Sequence, residues 1–178
     1  EGLELYPKFS PDGRSIAFGA EGKLKRLDLD AGQPVVLTNA IPRGGAWSAD
    51  GIILYSTNTG SGLFRVAASG GTPLAASTVT AQTGVTGHRF PVFLPDGRRF
   101  IFHASGIPET SGIYLGSLDS LETTRLTGAD SAGTYLPPGW LLWVQAGQLV
   151  ARRFDIERAA LTGDAVIVAD QVGFDPVV

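Results

Sequence analysis

The sequence predicts an all-β fold: a β-propeller whose blades are sheets of four antiparallel strands, about four blades in this chain. Three observations carry this. One aromatic–turn–strand pattern occurs four times. Its copies are spaced at the length of a propeller blade. The composition favours turns, with 24 Gly and 11 Pro in 178 residues and only 17% charged residues. Low charge with many turn-formers suits short strands rather than helices or disorder.

The clearest copy is Phe93-Leu94-Pro95-Asp96-Gly97, followed by Arg98-Arg99-Phe100-Ile101-Phe102. The first is Phe9-Ser10-Pro11-Asp12-Gly13, followed by Arg14-Ser15-Ile16-Ala17-Phe18. The second is Trp47-Ser48-Ala49-Asp50-Gly51, followed by Ile52-Ile53-Leu54-Tyr55. A worn fourth reads Tyr135-Leu136-Pro137-Pro138-Gly139, followed by Trp140-Leu141-Leu142-Trp143-Val144. The aromatic anchors Phe9, Trp47, Phe93 and Tyr135 are 38, 46 and 42 residues apart, and 43 more follow the last. Periods of roughly 40–45 residues with strand character mark propeller blades. The expected blades are 4–42, 43–88, 89–131 and 132–171, in a single partial domain over 1–178. Residues 172–178 are expected to approach a further blade of a larger ring.

The strands follow in order. The first blade is expected to use Tyr6–Ser10, Arg14–Gly19, Lys23–Leu29 and Pro34–Thr38. The second uses Gly45–Ser48, Ile52–Ser56, Gly62–Ala67 and a weak strand near Pro73–Ser77. The third uses Arg89–Leu94, Arg98–Ala104, Gly112–Leu118 and Thr123–Thr127. The fourth uses Gly133–Pro137, Trp140–Gln145, Gln148–Phe154 and Ala165–Ala169. Each run is short, rich in aromatic and aliphatic residues, and bounded by Gly, Asp or Pro. One helical turn is expected at Glu157–Leu161, after a capping Asp155.

The repeated turn has a physical reason. Proline at its second position presets φ, the Asp carboxylate accepts from nearby backbone N–H groups, and Gly takes the left-handed conformation. The aromatic residue before it is expected to pack between neighbouring blades. Asp12, Asp50 and Asp96 recur at one structural position, with Pro138 replacing the fourth. A catalytic carboxylate is usually unique, whereas a turn carboxylate repeats. These three Asp, with Gly13, Gly51, Gly97 and Gly139, therefore read as structural turn residues.

Little in the chain looks catalytic. There is no Cys, so disulfides, thiolate zinc sites and Cys nucleophiles are excluded. The net charge is −3 with scattered basic residues, which argues against nucleic acid. No apolar run reaches membrane-span length. His88 and His103 lack metal-ligand spacing. Gly-x-Ser-x-Gly, phosphate-loop and kinase glycine patterns are absent; Gly60-Ser61-Gly62 reads as a hairpin tip. The pairs Asp28/Asp30 and Glu157/Asp175 read as strand-end and loop residues. No catalytic, cofactor or metal residue is assigned. First strands line a propeller's channel, so the candidate binding residues are Tyr6, Lys8, Arg43, His88, Arg89 and Tyr135, near the starts of those strands.

The Phe-Ser-Pro-Asp-Gly-Arg-x-Ile-Ala-Phe repeat resembles the TolB-type, WD-repeat-like bacterial propeller motif. Longer strings are similar to one subgroup. They include Gly22–Leu29, Gly44–Trp47, Gly87–Gly97, Gly112–Ser120 and Pro137–Leu142. That subgroup is the C-terminal propeller of bacterial eukaryotic-like serine/threonine protein kinases. The resemblance implies a non-enzymatic binding, sensory or scaffold module on the extracytoplasmic side of a membrane-anchored parent, with kinase activity elsewhere in that parent. Two alternatives stand beside it: the propeller cap of a prolyl-oligopeptidase-like hydrolase, and a TolB-like envelope docking scaffold. An open four-bladed arc is also expected to self-associate through its exposed blade faces.

Overall fold

The computed structural model describes residues 6–30, 32–57, 60–80 and 83–173. Most of 172–178, expected to approach a further blade, lies outside the described residues, Asp175 included. The described strands form four separate four-stranded antiparallel sheets, each paired in chain order. Sheet one holds β1 (Lys8–Phe9), β2 (Ser15–Ala20), β3 (Lys23–Asp28) and β4 (Val35–Thr38). Sheet two holds β5 (Gly45–Trp47), β6 (Ile52–Tyr55), β7 (Phe64–Ala67) and β8 (Leu74–Ala75). Sheet three holds β9 (Val85–Phe93), β10 (Arg99–Gly106), β11 (Gly112–Ser117) and β12 (Ser120–Thr127). Sheet four holds β13 (Thr134–Leu136), β14 (Trp140–Gln145), β15 (Gln148–Asp155) and β16 (Ala160–Ala169). No α-helix occurs among the described residues. Four meanders of this kind are propeller blades. The first strands lie side by side, β1 against β5 and β5 against β9.

Two local expectations are corrected. β9 starts at Val85, ahead of the expected Arg89, because Val85 and Gly87 pair with Gly106 and Ser105 beyond a bulge. Glu157–Leu161 makes no helical turn. Residues 156–159 form a hairpin turn in which Asp155 Oδ1 accepts from Arg158 N at 3.0 Å and Ala159 has φ of 52°. The return strand then begins at Ala160. A strand partner outweighs a single helical turn, which fixes several dihedrals for one hydrogen bond.

The recurring turn is built as its residues require. Gly97 N donates to Leu94 O at 2.9 Å, and Asp96 Oδ1 accepts from Arg98 N and Arg99 N at 2.9 and 2.8 Å. In the first copy Asp12 Oδ1 accepts from Ser10 Oγ at 2.6 Å and Arg14 N at 3.1 Å. Gly13, Gly51 and Gly97 have φ of 71°, 75° and 68°. The worn copy differs: Pro137–Pro138 is cis and Gly139 has φ of 132°.

Each sheet presents one face to the preceding blade (its leading face) and one to the next (its trailing face). Leading-face residues of the second strands are buried in every interface: Ile53 and Tyr55 against Ala17 and Leu24, Phe100 and Phe102 against Leu54 and Leu63, Leu141 and Trp143 against Ile101 and Ile113. The anchor aromatics join the same cores. Trp47 packs on the first, Phe93 on the second and Tyr135 on the third.

Phe9 departs from this pattern. It is 62% exposed, and its partners in position, Ile16 and Phe18, are only half-buried. Among the described residues three apolar cores connect four sheets in series, and none joins the fourth sheet to the first. The blades therefore form an open arc, and Phe9 lacks a preceding blade to pack on.

No atom beyond an Asp50 oxygen at 3.8 Å would meet a Cβ at Gly97, so a substitution there is limited by backbone conformation alone. Gly97→Val should destabilise the protein by about 1–2 kcal/mol from left-handed strain, read as a lower urea midpoint with unchanged slope. An unchanged midpoint would show that the turn adopts another conformation.

Candidate ligand-binding site

The six residues near the first strands do not converge. Lys8 is exposed and opposite Ala17, on the face toward blade two. Tyr6, with φ of 92°, is half-buried ahead of β1. Arg43 is exposed, and its backbone is held by Ser56: Arg43 N donates to Ser56 O at 2.8 Å, and Ser56 Oγ donates to Arg43 O. Tyr135 lies edge-on to Phe154 at 6.5 Å, within the interface of blades three and four.

His88 and Arg89 are separated by strand alternation, since adjacent residues point to opposite faces. His88 is opposite Ala104 and faces blade two, while Arg89 is opposite His103 and faces blade four. His88 is only 4% exposed. Its ring lies 4.6 Å from that of Phe102, and its Nδ1 is 2.7 Å from Ser77 Oγ. Ser77 Oγ also accepts from Leu63 N at 2.9 Å, so its hydroxyl proton is directed to Nδ1. This Ser–His pair joins two blades. No carboxylate supports the imidazole, and Ser77 is only 2% exposed, so it does not resemble a nucleophile with its base.

Burial pushes the His88 pKa down to about 4. Burial likewise lowers that of His103, whose Nε2 lies 3.3 Å from Ala129 O. Among the described residues no three His, Cys, Asp or Glu side chains gather into a metal-binding group.

A cavity of about 440 Å³ opens instead between blades one and two. It lies where the β2–β3 turn, the end of β4 and the end of β6 meet. Tyr55 and Phe64, neighbours across β6 and β7, stack at 5.9 Å to form its apolar wall. The Thr38 side chain hydrogen-bonds the Tyr55 hydroxyl, whose pKa burial raises. Thr57 Oγ1 is 3.0 Å from Ser61 Oγ, while Asn39 and Ile41 are exposed at the rim. No charged side chain lines the cavity. Its volume is in the ~300–1,000 Å³ range of small-molecule sites, and so is its mixture of aromatic wall and few polar groups. Sequence reasoning missed it because its residues come from two blades and belong to no repeated motif. The one available signal was the sequence Thr38-Asn39-Ala40-Ile41, which links the first two blades.

No protein-family model matches the chain, and no curated protein matches it. Solved structures do. A TolB-like protein from Agrobacterium tumefaciens is 25% identical, with a TM-score of 0.66 over 92% of this chain and 61% of that one. TolB from Acinetobacter baumannii is 16% identical, with a TM-score of 0.66 over 85% of this chain and 40% of that one. The calcium-binding protein regucalcin from Agrobacterium tumefaciens is 18% identical, with a TM-score of 0.65 over 94% and 59%. The chain thus spans less than two thirds of the length of each of these propellers.

A buried neutral histidine has a signed consequence. In the unfolded chain His88 takes up a proton near its ordinary 6.5, and in the folded chain only near 4. Its contribution to stability is complete above 6.5 and is lost as pH falls toward 4. Wild-type protein should lose on the order of 2 kcal/mol across that window. His88→Asn should flatten the loss, because Asn keeps a partner for Ser77 without titrating. Urea midpoints at several pH values read this, and equal slopes for both proteins would contradict it.

The fold is that of TolB-type β-propellers, four blades in an open arc with a neutral, part-aromatic cavity between the first two.

Proposed function

We propose that this chain is a non-catalytic ligand- or protein-binding module. It is proposed to form the extracytoplasmic, sensory part of a receptor-like serine/threonine kinase. The cavity of blades one and two is the observation that carries the binding reading. It pairs an aromatic wall with hydroxyl and carboxamide groups, and it holds no titratable group suited to acid–base work at neutral pH. The two histidines, the chain's usual candidates for that work, are both buried within blade interfaces. The kinase reading rests on the resemblance of strings such as Gly87–Gly97 and Gly112–Ser120.

The expected ligand is uncharged, with an apolar face for Phe64 and Ile41 and hydroxyl or amide groups for Thr38, Asn39 and Thr57. A charged ligand group would lose water here without gaining a partner. Binding would act on the kinase by favouring one blade arrangement over another.

Calorimetric titration with neutral disaccharides and neutral peptides tests the reading. At least one should bind, and Asn39→Ala should weaken it about tenfold, the contribution of one good hydrogen bond. Turnover of the probe would contradict a non-catalytic role. Expression of the whole parent tests the second part: autophosphorylation supports it, and a serine-hydrolase activity overturns it.

A further inference from the structure

Each blade interface is fastened by an arginine that reaches a backbone carbonyl on the next blade. Arg26 of β3 donates to Ala68 O at 2.6 Å, and Arg65 of β7 donates to Leu118 O at 2.7 Å. Arg99 of β10 donates to Ile156 O. All three acceptors occupy one position, the residue after the third strand of the receiving blade. Arg26 and Arg65 occupy matching positions, opposite the trailing-face residues Ala17 and Leu54. In blade three Leu115 takes that position, opposite Ile101, and Arg99 supplies the guanidinium from two residues before Ile101.

The open ends of the arc carry the two unused halves of this arrangement. On blade four, Trp140 takes the register of Arg99, and Arg153 lies opposite it on the trailing face. Arg153 is exposed, its guanidinium stacked on the Trp140 ring at 4.2 Å. Around it lie Leu142, of the same face by alternation, and the exposed Leu136 and Val166. On blade one, Leu29 is the residue after the third strand. Its N–H bonds Arg14 O at 2.9 Å, as Ala68 N bonds Gly51 O at 2.7 Å and Leu118 N bonds Arg98 O at 3.0 Å. Beside it lies the leading face with its unburied anchor Phe9.

We propose that these two end faces are complementary halves of one interface, and that two copies of this chain join head to tail. Arg153 of each copy donates to the Leu29 carbonyl of the other, and Phe9 of each packs on the other's trailing face. Two such contacts close a ring of eight blades, within the range that propellers adopt, and a two-fold pair leaves neither end free. The second copy is the occupant that the chain itself specifies, because each end face carries what the opposite end lacks. This pairing is independent of what the cavity binds.

Light scattering across micromolar concentrations tests it. Wild-type protein should run as two copies. Phe9→Asp should run as one copy, and Arg153→Ala should need about tenfold more protein to associate. Both positions are exposed, and far-UV circular dichroism checks that the variants keep their strands. A wild-type monomer, with the faces left for other blades, would overturn the proposal. Association that both variants leave unchanged would overturn it equally.

Discussion

A four-stranded sheet that is apolar on both faces must be covered on both, and this constraint organises the whole chain. Uncovered, such a face leaves large side chains in water at about 25 cal/mol for each Å² of apolar surface. Blades two and three meet the requirement within the chain. Phe100 and Phe102 fill one side of blade three while Ile101 and Ile113 fill the other. Blades one and four meet it on one side only, and the signature is local. Trp47, Phe93 and Tyr135 pack on a preceding blade, and Phe9 has none.

The polar groups serve the same packing. Arg26, Arg65 and Arg99 tie successive blades through carbonyls rather than carboxylates. The Nε atoms of Arg26 and Arg65 are buried without a hydrogen-bond partner, so these ties carry some desolvation cost against the bond they make. The Ser77–His88 bond adds a fourth tie, between blades two and three, and it holds only while the imidazole is neutral. Both kinds of tie depend on the apolar cores, since a guanidinium–carbonyl bond gains strength where water is excluded.

Much of the fold was legible because it repeats. The Pro-Asp-Gly turn sets its own conformation within five residues, and its recurrence measured the blades. Strand alternation was legible for the same local reason. What escaped was set by contacts distant in sequence. β9 extends back to Val85 only because β10 offers it a partner there. His88 and Arg89, adjacent in sequence and read together as channel residues, are sent to opposite faces by the alternation of one strand. The cavity draws Thr38 and Asn39 from one blade and Tyr55 and Phe64 from the next, a juxtaposition that no spacing rule announces. The turn carboxylates were legible for the opposite reason, since Asp12 and Asp96 find their partners two or three residues away.

Four blades in an open arc with matched ends make a direct claim about which faces meet. Because the chain has no cysteine, introduced thiols report on it cleanly. A variant carrying Ile16→Cys on the leading end face and Leu142→Cys on the trailing one should form disulfides between chains under mild oxidation. Non-reducing electrophoresis with peptide mapping should find the thiol at position 16 of one copy joined to the thiol at position 142 of another. A disulfide within a single chain would show that the four blades close on themselves, and would contradict the open arc.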